Sequence, residues 1–216
     1  MNILSIKNLA LGITLTASAL TASAQTKYTE GVAAYNVNVR GMDIEAKCYF
    51  KPDSSAYSFQ QGPAKISMIG TVKNDYFVVL IDVPVANMKK AAIANPGELE
   101  EGASMIPEYT FTPTAETKKI GDFNCKKYTA KDPKTNATYD LWTTTDISMP
   151  TNIITRSYAG ATGTPVMFTV VQQGTPQVLT LKSVSNEKVP ATAFKVPADF
   201  DKITMDDLKS LGGRKQ

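Results

Sequence analysis

The chain contains no histidine, which restricts the chemistry that its other reactive side chains can perform. Histidine is the usual general base near neutral pH and the commonest metal ligand in proteins. Without it, this sequence has no Ser-His-Asp or Cys-His catalytic set and no histidine-ligated zinc site. We therefore expect no catalytic residue, no metal site and no cofactor, and we expect that the protein is not an enzyme.

Cys48 and Cys125 are the two cysteines of the chain. In an oxidising compartment they could form a disulfide, which would stabilise the fold by roughly 4 kcal/mol. Cys48 also lies on the apolar side of a predicted strand, where a thiol packs as a small hydrophobic group. Spacing along a sequence does not tell whether two Cα atoms come within bridging distance, so a disulfide and a pair of buried thiols both stay open.

Two polar segments resemble catalytic motifs but lack the context that those motifs need. Ser185 and Lys188 have the Ser-x-x-Lys spacing of penicillin-interacting serine enzymes, yet they follow a predicted strand instead of beginning a helix. Glu98, Glu100 and Glu101 lie in one short segment, whereas paired catalytic carboxylates normally come from separate elements. We interpret the first segment as a polar turn and the second as a solvated loop or short helix.

Two lysine pairs, Lys118-Lys119 and Lys126-Lys127, flank a predicted turn at Gly121-Asp122. Lysines on a strand discourage the pairing of exposed sheet edges between molecules. We interpret these pairs as a solvent-facing surface and a guarded edge. The net charge of +3 gives no electrostatic reason to expect a nucleic-acid partner.

Alternation of apolar and polar residues predicts that β-strands make up most of the chain. Residues 35–40 and 44–51 alternate with period two on either side of Gly41, which predicts an antiparallel hairpin. The same pattern predicts strands at 56–60, 65–72, 75–83, 109–112, 116–120, 123–131, 138–144, 166–172 and 177–184.

The run from Tyr76 to Ile81 is apolar on both of its faces, which predicts that both faces are covered. The next segment, 84–94, has apolar residues at helical spacing and a proline in its first turn, so we predict a covering helix there. An apolar ligand could lie between this helix and the sheet. The predicted lining of such a cavity is Phe77, Val79, Ile81, Val85 and Met88.

These elements predict one β-rich domain over residues 25–216, mainly β with one or two short helices. Its expected architecture is a curved antiparallel sheet or an open half-barrel wrapped over a helix. A short helix near the end should begin after Thr204, with Asp207 three residues on as in a capping box.

Residues 1–24 have the features of a secretory signal peptide. One lysine precedes an apolar stretch of about 12 residues, and small residues end it at Ala24, so cleavage is expected before Gln25. The stretch is shorter than the roughly 20 apolar residues of a spanning helix. We expect a periplasmic protein that is soluble after cleavage and has no stable membrane anchor.

Three segments resemble exported Bacteroidetes proteins of the domain of unknown function 4412 and the related GLPGLI group: ETKKIGDFNCKKY at 116–128, DLWTTTDI at 140–147 and FKVPADF at 194–200. The resemblance covers about residues 28–200. The Gly-Leu-Pro-Gly-type run of the second group is missing, and YAGATG at 158–163 occupies roughly its place. The resemblance implies a fold like that of the periplasmic lipoprotein carriers of the LolA/LolB type, and it implies no catalytic residue.

Two functional hypotheses follow. The first is a periplasmic binding or carrier module that holds a lipid or another apolar ligand, such as an acyl chain, between the sheet and the helix at 84–94. The second is a non-enzymatic structural or partner-binding envelope protein whose interior is filled, with an exposed apolar patch or an unprotected strand edge. The sequence names no protein partner.

Overall fold

The computed structural model describes residues 25–39, 41–172 and 174–212. The predicted leader, residues 1–24, lies outside the described residues. The strands are β1 (Thr26–Lys27), β2 (Gly31–Val39), β3 (Met42–Phe50), β4 (Ser54–Gln61), β5 (Ala64–Thr71), β6 (Phe77–Val83), β7 (Met88–Ile93), β8 (Thr110–Ile120), β9 (Phe123–Lys131), β10 (Thr138–Thr144), β11 (Ile147–Ser148), β12 (Thr164–Gln172), β13 (Thr175–Ser185) and β14 (Asp201–Ile203).

Twelve of these strands form one sheet in the order β14-β7-β6-β5-β4-β3-β2-β13-β12-β10-β9-β8. All neighbours in it are antiparallel except β14, which runs parallel to β7. The short strands β1 and β11 pair with each other outside this sheet. The sheet is not closed into a barrel, and β8 forms one of its edges. The prediction of a mainly β fold built on a curved antiparallel sheet is confirmed.

The contacts of the segment 149–163 show that the sheet is curved, because this segment touches strands that lie far apart in the sheet. Ile153 lies against Gly70 on β5, and the Tyr158 and Phe111 rings have centroids 6.2 Å apart on the β8 side. In a flat sheet β5 and β8 would lie roughly 38 Å apart, at about 4.8 Å per strand. Five residues of backbone span at most about 18 Å. The sheet therefore bends around this segment, and the inner face is the one that contacts it.

The larger of two hydrophobic cores fills the inner side of this bend. Side chains from β2, β3, β12 and β13 meet the segment 149–163 there, and Tyr35, Phe50, Tyr158 and Phe168 are almost fully buried. The Tyr158 ring packs edge-to-face on Phe168, and its hydroxyl donates to the Thr169 carbonyl oxygen. The interior of the bend is thus occupied by the chain itself.

The smaller core lies on the outer face of β4 to β7. Ala56, Ile69, Val78 and Leu80 are buried there. The C-terminal segment 194–200, which we call the strap, covers them with Phe194, Val196 and Phe200. Lys89 on β7 pairs with Asp199 of the strap at 2.6 Å. The expected cover over the apolar strand at Tyr76–Ile81 therefore exists on this face.

The predicted covering helix at 84–94 is wrong. Pro84–Ala86 form one turn of 3-10 helix, Asn87 turns the chain with φ of 47°, and Met88–Ile93 form strand β7. β7 pairs antiparallel with β6 along its whole length, which satisfies backbone groups of β6. Ala91 and Ala92 are both fully buried, on opposite faces of the sheet, which a single helical stripe does not allow.

The described residues contain two short α-helices, one between β7 and β8 and one after β14. Helix α1 (Pro96–Ser104) begins with a capping box between Asn95 and Glu98 and crosses from β7 to β8. It contains the glutamates that the sequence placed in a loop or short helix. Helix α2 (Met205–Gly212) follows Thr204, and the predicted capping box forms: the Asp207 backbone N–H donates to Thr204 Oγ1, and the Thr204 backbone N–H donates to Asp207 Oδ2.

Candidate functional site

Both cysteines are free and buried, so of the two alternatives the structure holds a pair of packed thiols. Cys48 lies on β3 in the larger core, and burial raises the pKa of its thiol to about 12. Cys125 lies on β9, and burial raises the pKa of its thiol to about 11. Neither side chain is poised as a thiolate nucleophile near neutral pH.

The residues predicted to line an apolar cavity are brought together only in part. Phe77, Val79 and Ile81 share the inner face of β6, and all three are half-buried. Met88 lies opposite Val83 on the same face. Val85 does not join them, because it sits on the turn before β7 and is 82% exposed. The predicted cavity under a helix does not form, since the helix is absent.

The inner face of β5 to β7 instead carries a row of half-buried apolar side chains. We call it the apolar strip and define it as Ile66, Val79, Ile81, Val83 and Met88. In the strand register Ile66 lies opposite Ile81, and Val83 lies opposite Met88. None of the five belongs to either hydrophobic core or to the residues packed against them. All five are half-buried, and the C-terminal helix α2 lies against β7.

One end of the strip is closed, and a charged pair borders the strip along β7. At the closed end, Ile153 lies over Gly70, and the Asn74 side chain donates to the Leu99 carbonyl of α1 at 2.7 Å. Arg156 donates to the Asn74 side-chain oxygen at 2.9 Å, and burial lowers the pKa of this guanidinium. Beside the middle of the strip, Lys90 of β7 lies opposite Ile81, and its ammonium pairs with Asp201 of β14 at 2.9 Å. A charged pair therefore borders the strip along β7.

A small polar cavity of about 70 Å³ lies beneath the segment 149–163. Its walls include Asn152, Thr155, Tyr158 and Thr164, all buried. Asn152 Oδ1 accepts from the backbone N–H groups of Ile154 and Thr155, which holds the turn of this segment. Its wall residues carry no charge, and its volume suits water rather than an acyl chain.

A second, larger groove of about 540 Å³ lies on β8, β9 and β10 near the turn at 159–163. Lys119 and Lys126 face it together with threonine side chains and Asn124. The sequence reasoning treated these lysines as a solvent face. The hairpin register was the signal that it missed, because Lys126 opposes Thr117 and Lys119 opposes Asn124, which puts both lysines on one face.

The described residues offer no cluster of three or more cysteine, aspartate or glutamate side chains that could hold a metal ion. The buried polar residues among them are serine, threonine and asparagine. No helix in the described part of the chain combines the length and the hydropathy needed to cross a bilayer. What the arrangement offers chemically is one apolar surface and one basic groove.

Comparison with protein families and with curated proteins gives no match. Among solved structures, that of PNGF-II in space group C2 resembles this chain with a TM-score of 0.51 and 16% sequence identity. The likeness covers 84% of this chain and 32% of PNGF-II, so the chain spans about a third of that protein's length. At this identity the likeness shows the fold alone.

Proposed function

We propose that this protein is an exported, periplasmic binding module without catalytic activity, and that its apolar strip holds an acyl chain. The observation that carries the proposal is the strip itself: five half-buried apolar side chains on one sheet face that neither core uses. Contiguous apolar surface of this kind marks binding sites on soluble proteins. Transfer of such side chains from water gains roughly 25 cal/mol per Å².

The geometry of the strip suits an extended chain. Its residues come from three adjacent antiparallel strands, and they run from Val79 to the turn after Val83. The closed end under Ile153 gives the ligand a stop, and Lys90 borders the strip with a positive charge. An acyl chain with an acidic head group matches both features.

The export part of the proposal is supported by the features of residues 1–24, and the absence of catalysis by the chemistry of the chain. A chain without histidine, with both thiols buried, has few groups that can act as a general base or a nucleophile at neutral pH. An assay for cleavage of the signal before Gln25, by mass spectrometry of the mature protein, tests the first part.

Titration of the protein with a fluorescent fatty-acid analogue tests the acyl site. Ile81→Asp places a charge in the middle of the strip, and we expect it to weaken binding about 10-fold or more because the charge must be desolvated against the chain. Val171→Asp is the matched control, since Val171 lies on β12 and is 41% exposed. We expect the control to bind like the wild type.

Absence of binding by the wild-type protein, or equal loss in both variants, would contradict an acyl site on the strip. The thermal midpoint of each variant, measured by circular dichroism, separates loss of the site from loss of the fold. Native mass spectrometry of protein purified from the envelope adds a direct readout, since a bound lipid raises the mass and is removed by extraction.

A second function, binding of a partner protein by a filled domain, is favoured by the segment 149–163. It occupies the bend of the sheet and leaves a cavity of only about 70 Å³ beneath it. Photo-cross-linking from position 81 in the envelope distinguishes the two functions. A lipid adduct supports the acyl site, and a single protein adduct supports the partner.

A further inference from the structure

The groove on β8 to β10 has a charge pattern that the rest of the fold does not explain. Lys119 and Lys126 are exposed on the same face of the β8–β9 hairpin. They are diagonal neighbours in the register, which places their Cβ atoms about 7–8 Å apart. Neither lysine forms an ion pair with an acidic side chain of the described residues. Side chains of this length on neighbouring positions can reach a common anion.

The neighbouring Lys127, on the same strand, forms ion pairs within the protein and so provides a comparison. Its ammonium pairs with Glu116 and with Asp140, each at 3.1 Å. It also lies 5.8 Å from the centroid of the Trp142 ring. Because consecutive residues of a strand point to opposite faces, Lys127 points away from the groove that Lys126 lines. Lys118 also lines the groove, with its ammonium 4.0 Å from the centroid of the Trp142 ring. Unlike Lys127, the three lysines of the groove form no ion pair among the described residues.

The uncharged lining of the groove is hydroxyl- and amide-rich. Thr117 and Thr145 are exposed in it, and Asn124 is fixed by Asp146, whose Oδ2 accepts from the Asn124 backbone N–H at 2.7 Å and from Nδ2 at 3.1 Å. Asp146 thus accepts from the backbone and side-chain N–H groups of Asn124, and Asn124 Oδ1 remains available as an acceptor. Tyr128 adds a half-buried aromatic ring.

These features indicate the class of ligand that fits the groove on β8 to β10. The volume of about 540 Å³ is far larger than a single inorganic ion needs and lies in the range of small-molecule sites. The lining of the groove exposes both polar and apolar atoms. Alternating hydroxyl donors and acceptors, an aromatic ring and two ammonium groups match a chain of sugar rings that carries carboxylate, sulfate or phosphate groups.

We propose that the groove on β8 to β10 is a binding site for an acidic oligosaccharide, with Lys119 and Lys126 holding its anionic groups. The threonine hydroxyls and Asn124 bind its sugar hydroxyls, and the Tyr128 ring packs against a sugar face. This site is separate from the apolar strip and does not depend on it, because the strip lies on β5 to β7.

Isothermal titration of the full chain with hexagalacturonate at low ionic strength tests the proposal. We expect Lys119→Ala/Lys126→Ala to weaken binding at least about 10-fold, since it removes two charge-assisted contacts to the anionic groups. Lys47→Ala/Lys65→Ala is the matched control: it removes the same charge from exposed positions on β3 and β5. We expect less than about a 2-fold change there, because charges so far away are screened.

Two further titrations decide what the groove recognises. Neutral maltohexaose should bind much more weakly than hexagalacturonate, and inorganic phosphate should bind weakly and compete poorly. Equal loss of affinity in both double variants would mean general electrostatic attraction and would overturn the proposal. It is equally overturned if the wild type does not bind the acidic sugar, or if phosphate binds as tightly.

Discussion

Ile153 lies so close to Gly70 that a methyl group added at Gly70 would stand 2.8 Å from Ile153 Cγ2. Phe77 Cδ2 would lie 3.3 Å from the same methyl group. Gly70→Ala should therefore destabilise the protein by about 1–3 kcal/mol, as overpacking does elsewhere. Urea unfolding, monitored by tryptophan fluorescence, measures this loss of stability. Gly102→Ala in α1 is the control, since nothing lies within 4 Å, and helix propensity predicts a gain of up to about 1 kcal/mol.

The same contact can be tested by a double-mutant cycle. In an Ile153→Ala background the clash is relieved, so the additional cost of Gly70→Ala should shrink to a fraction of its wild-type value. A cost of Gly70→Ala that stays the same in both backgrounds would show that the segment 149–163 does not press on β5.

The strap should contribute to stability through its aromatic side chains and little through its ion pair. Phe194→Ala and Phe200→Ala each remove a half-buried ring from the smaller core, and we expect a loss of about 1–3 kcal/mol with increased binding of an apolar dye. Asp199→Asn removes only the exposed pair with Lys89 and should leave the urea midpoint nearly unchanged. An unchanged midpoint in both phenylalanine variants would mean that the strap does not cover β4 to β7.

The strands of this fold could be predicted because their signals are local. Alternation around Gly41 predicted the β2–β3 hairpin, and the structure pairs Val39 with Met42 there. The strands predicted at 65–72 and 75–83 leave a turn at Lys73-Asn74, and Asn74 has the positive φ, 57°, that such a turn requires. Period-two patterning and turn residues act over a few residues, so one sequence suffices to find them.

The covers of the sheet could not be predicted, because they depend on contacts between distant segments. The doubly apolar strand at Tyr76–Ile81 predicted a cover, and the nearest apolar segment was assigned that role. The structure supplies it from Phe194 and Phe200, more than a hundred residues away, while Met88–Ile93 extend the sheet. Nothing in the local pattern distinguishes a short amphipathic helix from a strand buried on both faces.

Only part of the candidate site could be predicted from the sequence. Period two placed Phe77, Val79 and Ile81 on one face, and the register agrees. Val85 was added through the helical interpretation of 84–94, and it lies exposed on a turn. The basic groove was missed because its two lysines come together only through the pairing of β8 with β9.

The buried thiols should make the fold sensitive to alkali. An unfolded thiol ionises near 8.5, whereas the folded pKa is about 12 for Cys48 and about 11 for Cys125. Because the folded values are raised, the neutral thiols contribute stability that is complete below about pH 8.5 and is lost as the pH rises toward 11–12. The urea midpoint should fall across this window. The urea midpoint of Cys48→Ala should fall less steeply with pH than that of the wild type. An identical slope in both proteins would exclude Cys48 as a cause of the alkali sensitivity.

The native thiols should also resist modification. At pH 8 we expect almost no reaction of either cysteine with a thiol reagent in the folded protein, and reaction of both after denaturation. Mass spectrometry after iodoacetamide treatment counts the modified residues. Rapid labelling of the folded protein would contradict their burial.

Asn152 should be one of the most sensitive polar positions. It is 2% exposed, and its Oδ1 accepts from two backbone N–H groups, those of Ile154 and Thr155. Asn152→Ala leaves both donors buried without this partner, so we expect a loss of about 2–4 kcal/mol by chemical denaturation. Asn186→Ala, at an exposed position, should change stability by less than about 0.5 kcal/mol. Similar values for the two variants would contradict the role of Asn152.

Asn87 gives a test in which the two interpretations of 84–94 predict opposite signs. In the structure Asn87 has φ of 47°, a left-handed conformation that alanine adopts at a cost of about 1–2 kcal/mol and glycine adopts readily. Asn87→Ala should therefore lower the free energy of unfolding, and Asn87→Gly should leave it unchanged or raise it. In a helix over 84–94 the order would reverse, because alanine favours a helix interior over glycine by about 1 kcal/mol. Urea unfolding of the two variants side by side decides between a turn into β7 and a helix.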